Sequence, residues 1–334
     1  MQTPTARQDG FGSRQHAQDA QFGRVEILDL SSALGTPVAE QAIRARAARL
    51  GEASGPTLSR VLRITRAEQT LSIVSAAPDG VVLGDLLAAL EFGTVTLSDQ
   101  AILELANATV RAVAGVHRLT ASAAHGALSP AHVLVRRDGT VLLSGAVFGD
   151  ALQALQCNRE QLWRVFGLAL PPSATLPRFD QRADVTQLGA LVLAMLLRRT
   201  LTASEYPKGI LDLVAAAADA VSVGNARSAL RMWLQQALQL HPKALFASAA
   251  DAARAFEDVI AAVPGRRPGS VLLQAVVRHM SGDPIDEAAP AKAAAVRQPI
   301  PVAMPAAPPP MRRLTGPARG MTFLRNVFPM LGAN

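Results

Sequence analysis

The sequence has few of the features that point to a secreted or membrane protein. It contains one cysteine, Cys157, so no internal disulfide can form, and disulfides are the usual support of secreted domains. Its first residues contain no apolar core of a secretory signal. The longest strongly apolar run, at 189–197, is far shorter than the roughly 20 residues that span a bilayer. We therefore expect a cytoplasmic protein without a transmembrane segment, and a buried helix at 189–197.

Aromatic residues are also scarce, at 4% of the chain, although the net charge is +7. Proteins that bind single-stranded nucleic acid interleave aromatic and basic side chains, and no such series occurs in the sequence. The positive charge is uneven, because residues 263–334 hold nine Lys/Arg and three Asp/Glu. Residues 1–262 are therefore nearly neutral, and we expect no nucleic-acid partner.

Residues 263–334 also hold twelve of the 22 prolines, a composition that sustains neither helix nor sheet. We predict a Pro/Ala-rich basic tail without fixed structure. Its last residues, from 311 onward, combine arginines with Met, Phe, Leu and Val, which could bring weak contact with an acidic partner or an anionic membrane surface. A solvated tail with a few apolar residues is the simpler interpretation.

Ahead of the tail, the pattern changes from strand-like to helical. Short β-like runs such as "VEILDL" and "TLSIVSA" extend to about residue 77, and helical periodicity dominates afterwards. The run from Ser98, a candidate N-cap, predicts a long buried helix, and Asp138-Gly139 predicts the turn of a β-hairpin. Further helices are predicted at 183–198, 209–221, 226–240 and 248–262. The fold class is α+β.

Three stretches in this order carry a family resemblance: "HGALSPAHVLV", "RADVTQLGALVLAML" and "HPKALFASAADAARAFEDVI". They resemble the catalytic loop, the following hydrophobic helix and the closing segment of bacterial Ser/Thr protein kinases of the eukaryotic-like type. The resemblance implies a two-lobed kinase-like fold with a small β-rich N-lobe at 10–77 and a larger helical C-lobe at 78–262, followed by the tail at 263–334.

The N-terminal stretch "GFGSRQHAQDAQFGRVEILDL" is similar to the family's glycine loop and the strands around it. Only nine residues precede Gly10, so we expect the first strand of a truncated N-lobe to be short, displaced or absent. Gly10 and Gly12, with the hinge residues Ser75, Ala76 and Ala77, are the candidate residues of a nucleotide cleft.

Nearly all reactive groups of the family are replaced at the matching positions. The phosphate-binding lysine position holds Leu28, and no lysine occurs before Lys208. In the catalytic loop, the aspartate, its lysine partner and the metal-binding asparagine correspond to Ala127, Ser129 and His132. The metal-binding Asp-Phe-Gly position reads Ser144-Gly145-Ala146. Phosphoryl transfer depends on these cations, carboxylates and amides, so the resemblance implies no catalytic residue and no metal site.

His125 and Asp184 match family residues that brace the catalytic loop, and we interpret them as structural. The sequence thus predicts a pseudokinase that acts as a protein-binding scaffold or allosteric regulator and needs no cofactor. Two alternatives stay open. One is an unconventional phosphotransferase that uses Asp138 or Asp150 for metal, and the other is a switch that binds ATP weakly without metal.

Overall fold

The computed structural model describes residues 7–52, 55–77, 79–119, 124–172, 175–221, 226–241, 245–263 and 270–281. The N-terminal part is a five-stranded antiparallel sheet with one helix. Its elements are β1 (Arg7–Asp9), β2 (Gly12–Asp19), β3 (Gly23–Leu30), α1 (Pro37–Glu52), β4 (Val61–Ala67) and β5 (Thr70–Ala76), and the strand order is β1-β2-β3-β5-β4. The first strand is present, with three residues that pair with β2.

The second part is mostly helical and contains a small antiparallel sheet. Its elements are β6 (Gly80–Val82), α2 (Leu83–Glu91), α3 (Asp99–His117), a 3-10 turn (Pro130–His132), β7 (Val133–Arg136), β8 (Val141–Leu143), α4 (Gly149–Ala154), α5 (Arg159–Phe166), α6 (Gln181–Leu197), α7 (Ile210–Ala220), α8 (Ala226–Ala237), α9 (Ala249–Ala261) and α10 (Ser270–Met280). The sheet has the order β6-β7-β8.

Most elements predicted from hydrophobic periodicity are confirmed. The side chain of Ser98 caps α3 by accepting a hydrogen bond from the Ala101 N–H at 3.2 Å. The predicted hairpin is formed by β7 and β8, and Gly139 adopts a φ of +81° in its turn. The four further helices begin and end within three residues of their predicted bounds.

Helix α1 was not predicted. Its buried face is formed by Ala39, Ile43 and Arg46, at the i, i+4, i+7 spacing of one helix face. Only one of these three is a large apolar residue, so the sequence shows little of the apolar stripe that marks an amphipathic helix. The N-lobe therefore has the two-layer arrangement of a sheet covered by a helix.

The tail was predicted to begin at residue 263, and this prediction is wrong for the first residues of the tail. Residues 270–280 form α10, which packs against α3, β6 and β7. Leu273 and Val277, one turn apart, are buried, and the Gln274 side chain donates to the Asp138 carbonyl at 2.9 Å. The apolar residues of this stretch have helical spacing, which the proline-rich composition of the whole region concealed. The rest of the predicted tail lies outside the described residues.

Two apolar clusters form the core. The larger one lies inside the helical lobe, around α3, α6, α8 and α9. The second crosses between the lobes: it joins N-lobe residues such as Leu28, Leu71 and Ile73 to C-lobe residues such as Phe148 and Leu162. Apolar contact therefore continues across the space between the lobes. No described helix is long and apolar enough to cross a membrane.

Candidate functional site

The space between the lobes, where the family resemblance puts a nucleotide, is lined by apolar side chains. Leu28, at the position matched to the lysine, is 3% exposed and lies in β3. It belongs to the same buried cluster as Ile43 of α1, Ala127 of the loop before β7, and Phe148. An alkyl side chain in such a cluster contributes through burial and offers no charge to a phosphate.

The loop between β1 and β2, residues 10–12, is folded onto its own aspartate. Asp9 Oδ1 accepts hydrogen bonds from the backbone N–H of Phe11 at 2.8 Å and of Gly12 at 3.2 Å. Successive backbone N–H groups in such a turn form a concave site that favours an anion. In this protein the carboxylate of Asp9 already supplies that anion.

The same loop lies directly on helix α5. A Cβ atom added to Gly10 would be 1.8 Å from the carbonyl oxygen of Val165 and 2.7 Å from its carbonyl carbon. Only a residue without a side chain permits this approach of two backbones. Gly10 is therefore committed to packing against α5.

Phe11, at the tip of the loop, points into the space between the lobes and is 1% exposed. Its ring centroid lies 4.4 Å from that of His132, in an edge-to-face arrangement, and 5.0 Å from those of Phe148 and Phe166. Aromatic pairs at such distances attract one another beyond the effect of burial. One N-lobe side chain thus connects the loop before β7 to α5 and to the segment before α4.

Arg14 of β2 forms the polar counterpart of this contact. Its guanidinium is bound by Asp9 and Glu26, each at 2.9 Å, and its Nη2 atom lies 2.7 Å from Nε2 of His132. The side chain is 7% exposed. By the kinase resemblance, Arg14 corresponds to the apolar residue that roofs the adenine, and His132 to the metal-binding asparagine. The contact therefore spans the interior of the expected nucleotide site.

His132 receives this arginine as a neutral imidazole. Its Nδ1 atom lies 2.7 Å from the carbonyl oxygen of Ala127, so Nδ1–H donates and Nε2 is left to accept from Arg14. Burial, and then the positive charge of Arg14, holds the pKa of His132 well below its usual value. The hydroxyl of Ser129 is also 3.3 Å from Nδ1. Ser129 thus contacts the imidazole, and it is buried.

The residues matched to the metal-binding motif pack against His132. The Ser144 N–H donates to the His132 carbonyl at 2.9 Å, and Gly145 has a φ of +78°. A Cβ atom on Gly145 would lie 2.6 Å from the imidazole, so the ring occupies the room that glycine leaves. Among the described residues, no group of three or more His, Cys, Asp or Glu side chains could hold a metal ion.

Arg46 of α1 ties the helix to the loop segments and was missed by the sequence analysis. Its guanidinium donates to the carbonyl oxygens of Ala146 and Ala124 and pairs with Asp150. Asp150 also pairs with Arg49 of the same helix. An arginine within an Arg- and Ala-rich helix carries no local signal that it is buried, so the sequence could not have identified it.

Asp184 of α6 fixes the backbone of the loop that precedes β7. Its Oδ1 atom accepts from the Gly126 N–H at 2.6 Å, and its Oδ2 atom accepts from the His125 N–H. Oδ2 also lies 2.9 Å from Nε2 of His117. The Asp184 carboxylate is completely buried, so these hydrogen bonds replace its lost hydration.

His125 itself is fully buried, and burial lowers its pKa to about 3. Its Nδ1 atom accepts from the Ala127 N–H at 3.3 Å. The imidazole is therefore neutral over the physiological pH range. The side chain faces the protein interior.

The hinge candidates lie where β5 ends. The Ala76 N–H donates to the Arg60 carbonyl at 2.9 Å, and the Ala76 carbonyl accepts from the Ser59 hydroxyl at 2.8 Å. The Ala77 N–H donates to the Arg24 carbonyl at 3.2 Å, and Ser75 pairs with Glu26 of β3. These backbone donors are already used within the protein.

Two solved structures identify the fold. The structure is similar to the kinase domain of maize SIRK1, a sucrose-induced receptor kinase bound to AMP-PNP. The TM-score is 0.58 and the sequence identity 16%, over 78% of this chain and 93% of that one. It is also similar to the kinase domain of Mycobacterium tuberculosis PknI, with a TM-score of 0.50 and 18% identity over 76% and 93% of the two chains.

No protein-family model and no curated protein sequence matches the chain. At identities of 16% and 18% the two similarities establish the fold alone. The protein therefore has the protein-kinase fold that the sequence motifs predicted, with a small sheet lobe and a helical lobe.

Replacing Arg14 with alanine leaves two carboxylates and an imidazole without their shared cation. Breaking a buried ion pair costs about 3–5 kcal/mol, and since Asp9 and Glu26 keep some exposure, we expect Arg14→Ala to lose about 3 kcal/mol of unfolding free energy. Urea denaturation of the variant and of the unchanged protein measures this difference in unfolding free energy. Arg164→Ala is the matched control, because Arg164 pairs with Glu160 on the surface of α5; that change should cost less than about 1 kcal/mol. Equal losses in the two variants would contradict the buried contact.

Two of the three buried histidines among the described residues, His125 and His132, predict acid sensitivity. The pKa of His125 lies far below its ordinary value of 6.5, so the unfolded chain binds more protons than the folded one once the pH falls below 6.5. The unfolding free energy is therefore at its full value above pH 6.5 and decreases as the pH falls towards 3. From pH 7 to pH 5 the loss is about 2 kcal/mol for His125, and the lowered pKa of His132 acts in the same direction. Unfolding free energies at the two pH values test this, and His125→Asn should reduce the difference by about 2 kcal/mol. An unchanged pH dependence in that variant would contradict the assignment.

Proposed function

We propose that this protein is a pseudokinase, a kinase fold that transfers no phosphate and acts by binding other proteins. The observation that carries the proposal is the contact of Arg14 with His132, flanked by the ring of Phe11. These side chains come from both lobes and meet inside the expected nucleotide site. A cleft that is filled by the protein's own side chains has no room for a triphosphate in this conformation.

The charges around the cleft support the same conclusion. Arg14 is shared by the carboxylates of Asp9 and Glu26, so these three groups together carry a net charge of −1. A nucleotide triphosphate would bring further negative charge next to them, and the backbone N–H groups of Phe11 and Gly12 are already bonded to Asp9. Leu28 provides no compensating cation. The electrostatics of the loop thus oppose phosphate binding.

The residues present do not fit magnesium and ATP. Mg²⁺ requires oxygen ligands, normally with carboxylate charge, whereas Ser144 and His132 stand at the matched positions and His132 is committed to Arg14 and Ala127. Ala127 has no group that could orient a hydroxyl or accept its proton. We therefore propose that the site has no catalytic residue, metal or cofactor, and that His125 and Asp184 serve to hold the loop.

An unconventional phosphotransferase is the second candidate. Asp150 is engaged by Arg46 and Arg49, and the carboxylate of Asp138 accepts from the backbone and hydroxyl of Thr140 in the hairpin turn. Among the described residues, neither carboxylate belongs to a group of three or more His, Cys, Asp or Glu side chains that could hold a metal ion. These contacts favour structural roles for both aspartates.

Incubation with ATP separates the candidates. We expect millimolar ATP, with or without Mg²⁺, to leave the melting temperature unchanged, and labelled ATP to yield no phosphate transfer, because the cleft is filled and lacks ligands. A shift that persists in EDTA without transfer would replace our proposal by the metal-independent switch. Transfer that survives in Ser144→Ala but is lost in Asp150→Asn would establish the unconventional enzyme.

The protein-binding role extends to the basic tail. Residues 288–334 hold six basic and no acidic residues, and we propose that they bring the protein to an acidic partner or membrane surface in the cytoplasm. They lie beyond the last described residue, Ser281. Of these two binding partners, an acidic protein agrees better with a scaffold role than a membrane does.

Deleting residues 288–334 tests this role of the tail. The shortened protein should lose its salt-sensitive binding to polyglutamate, since that attraction is screened within about 10 Å at 0.1 M salt, while its melting temperature stays the same. Vesicles containing phosphatidylserine form the parallel arm that detects a membrane surface. If the shortened protein binds polyglutamate and the vesicles as well as the full-length protein does, the tail has no role in this binding.

A further inference from the structure

A cavity lies beside the hinge. It is separate from the cleft, because Phe11, Arg14 and His132 do not line it. Its volume is about 560 Å³. Its walls come from both lobes: the turn between β2 and β3, residues 55–60 before β4, the end of β5 and the hairpin of β7 and β8. The hinge candidates Ala76 and Ala77 also line it, but the kinase resemblance of the sequence assigns no role to its other residues.

One side of the cavity is apolar. Its lining includes Phe22, Pro56, Leu58 and Leu142. Among the described residues, Phe22 is one of the few large apolar side chains that are more than a third exposed. Apolar walls with a few polar groups are typical of sites for small organic ligands. This side therefore suits an aromatic ring or a short alkyl group.

The other side is positively charged. Three arginines line the cavity, Arg24, Arg60 and Arg136, together with one carboxylate, that of Asp79. Arg24 pairs with Asp79 at 2.8 Å, so these two charges offset each other. Arg60 and Arg136 remain without a carboxylate partner among the described residues.

The contacts of these two arginines are sparse. The side chain of Arg60 is exposed and forms no hydrogen bond or ion pair with any described residue. Arg136 donates one long bond of 3.4 Å to the Pro56 carbonyl, and its Nε atom is buried without a partner in the described part of the chain. A buried guanidinium N–H without an acceptor is costly, and an anionic ligand would supply the acceptor.

We propose that this cavity binds a phosphate monoester whose organic group is small and apolar. Two guanidinium groups that form no ion pair with any described residue match the charge of a phosphate monoester, about −1.5 to −2 at neutral pH, although the charge of Arg136 also interacts with that of Asp138. Arginine also presents paired N–H donors that suit phosphate oxygens. The ester group would lie against Phe22 and Leu142. The ligand is either a free small molecule or a phosphorylated side chain of a protein, since both present the same chemistry.

Titration of the full-length protein with phenyl phosphate tests the site by calorimetry. We expect saturable binding and a rise in melting temperature, because the ligand joins segments from both lobes. Inorganic phosphate should bind more weakly because it lacks the ring, and benzoate because it has a single charge. A short peptide with phosphotyrosine is the second arm: tighter binding of the peptide indicates a protein source, and equal or weaker binding a small molecule.

Arg60→Ala is the informative variant, because Arg60 has no partner whose loss would unfold the protein. It should weaken phenyl phosphate binding about tenfold, the loss expected for one charge-assisted bond. Arg111→Ala is the control. Arg111 is also exposed and also lacks a partner among the described residues, but it lies on α3 and does not line the cavity, so its loss should leave the affinity unchanged.

The variant Phe22→Ala tests the apolar side of the cavity independently of the charged side. It should weaken phenyl phosphate and leave inorganic phosphate unaffected. Absence of saturable binding at millimolar phenyl phosphate overturns the proposal, and so does binding that Arg60→Ala does not weaken. Neither result bears on the pseudokinase proposal, since the filled cleft shares none of these arginines.

Discussion

The apolar cluster shared by the two lobes is the constraint on which the rest of the site depends. Leu28, Phe11 and Phe148 are each no more than 3% exposed within it. A lysine at position 28 would place an ammonium group among these rings, and burial of an unpaired charge is expensive. Replacing charged partners by apolar groups is by contrast often neutral or stabilising. An apolar residue at position 28 and the apolar packing between the lobes are therefore physically linked.

The polar groups that remain in the cleft satisfy one another. Asp9 bonds to the backbone of its own loop and to Arg14, and Arg14 reaches the neutral imidazole of His132. The imidazole in turn donates to the Ala127 carbonyl. Each group thus has partners inside the protein, as buried polar groups require.

The sequence was informative where local patterns determine structure. The hairpin around Gly139 and the helix capped by Ser98 follow from turn and capping chemistry, which act over a few residues. The ordered kinase motifs predicted the fold for the same reason, since each motif occupies one loop or helix. Helices α1 and α10 were missed because their buried faces are short and lie in Ala/Arg-rich or proline-rich surroundings.

The contacts that define the site lay beyond such reasoning. Arg14 and His132 are separated by 118 residues and meet only after both lobes have folded. The same applies to Arg46, whose partners lie 78 to 104 positions away. An arginine has the same appearance in a sequence whether it is solvated or buried. The sequence alone could not show that these side chains meet, because their contacts form only in the folded arrangement of both lobes.

The close approach of Gly10 to the Val165 carbonyl has a consequence for how the molecule moves. In a protein built of two hinged halves, the glycine loop would be expected to rise and fall as the halves open. Here that loop rests backbone to backbone on a helix of the opposite half, and opening would expose aromatic surface to water. The two halves should therefore melt together as one cooperative body, and neither should persist as a fragment on its own.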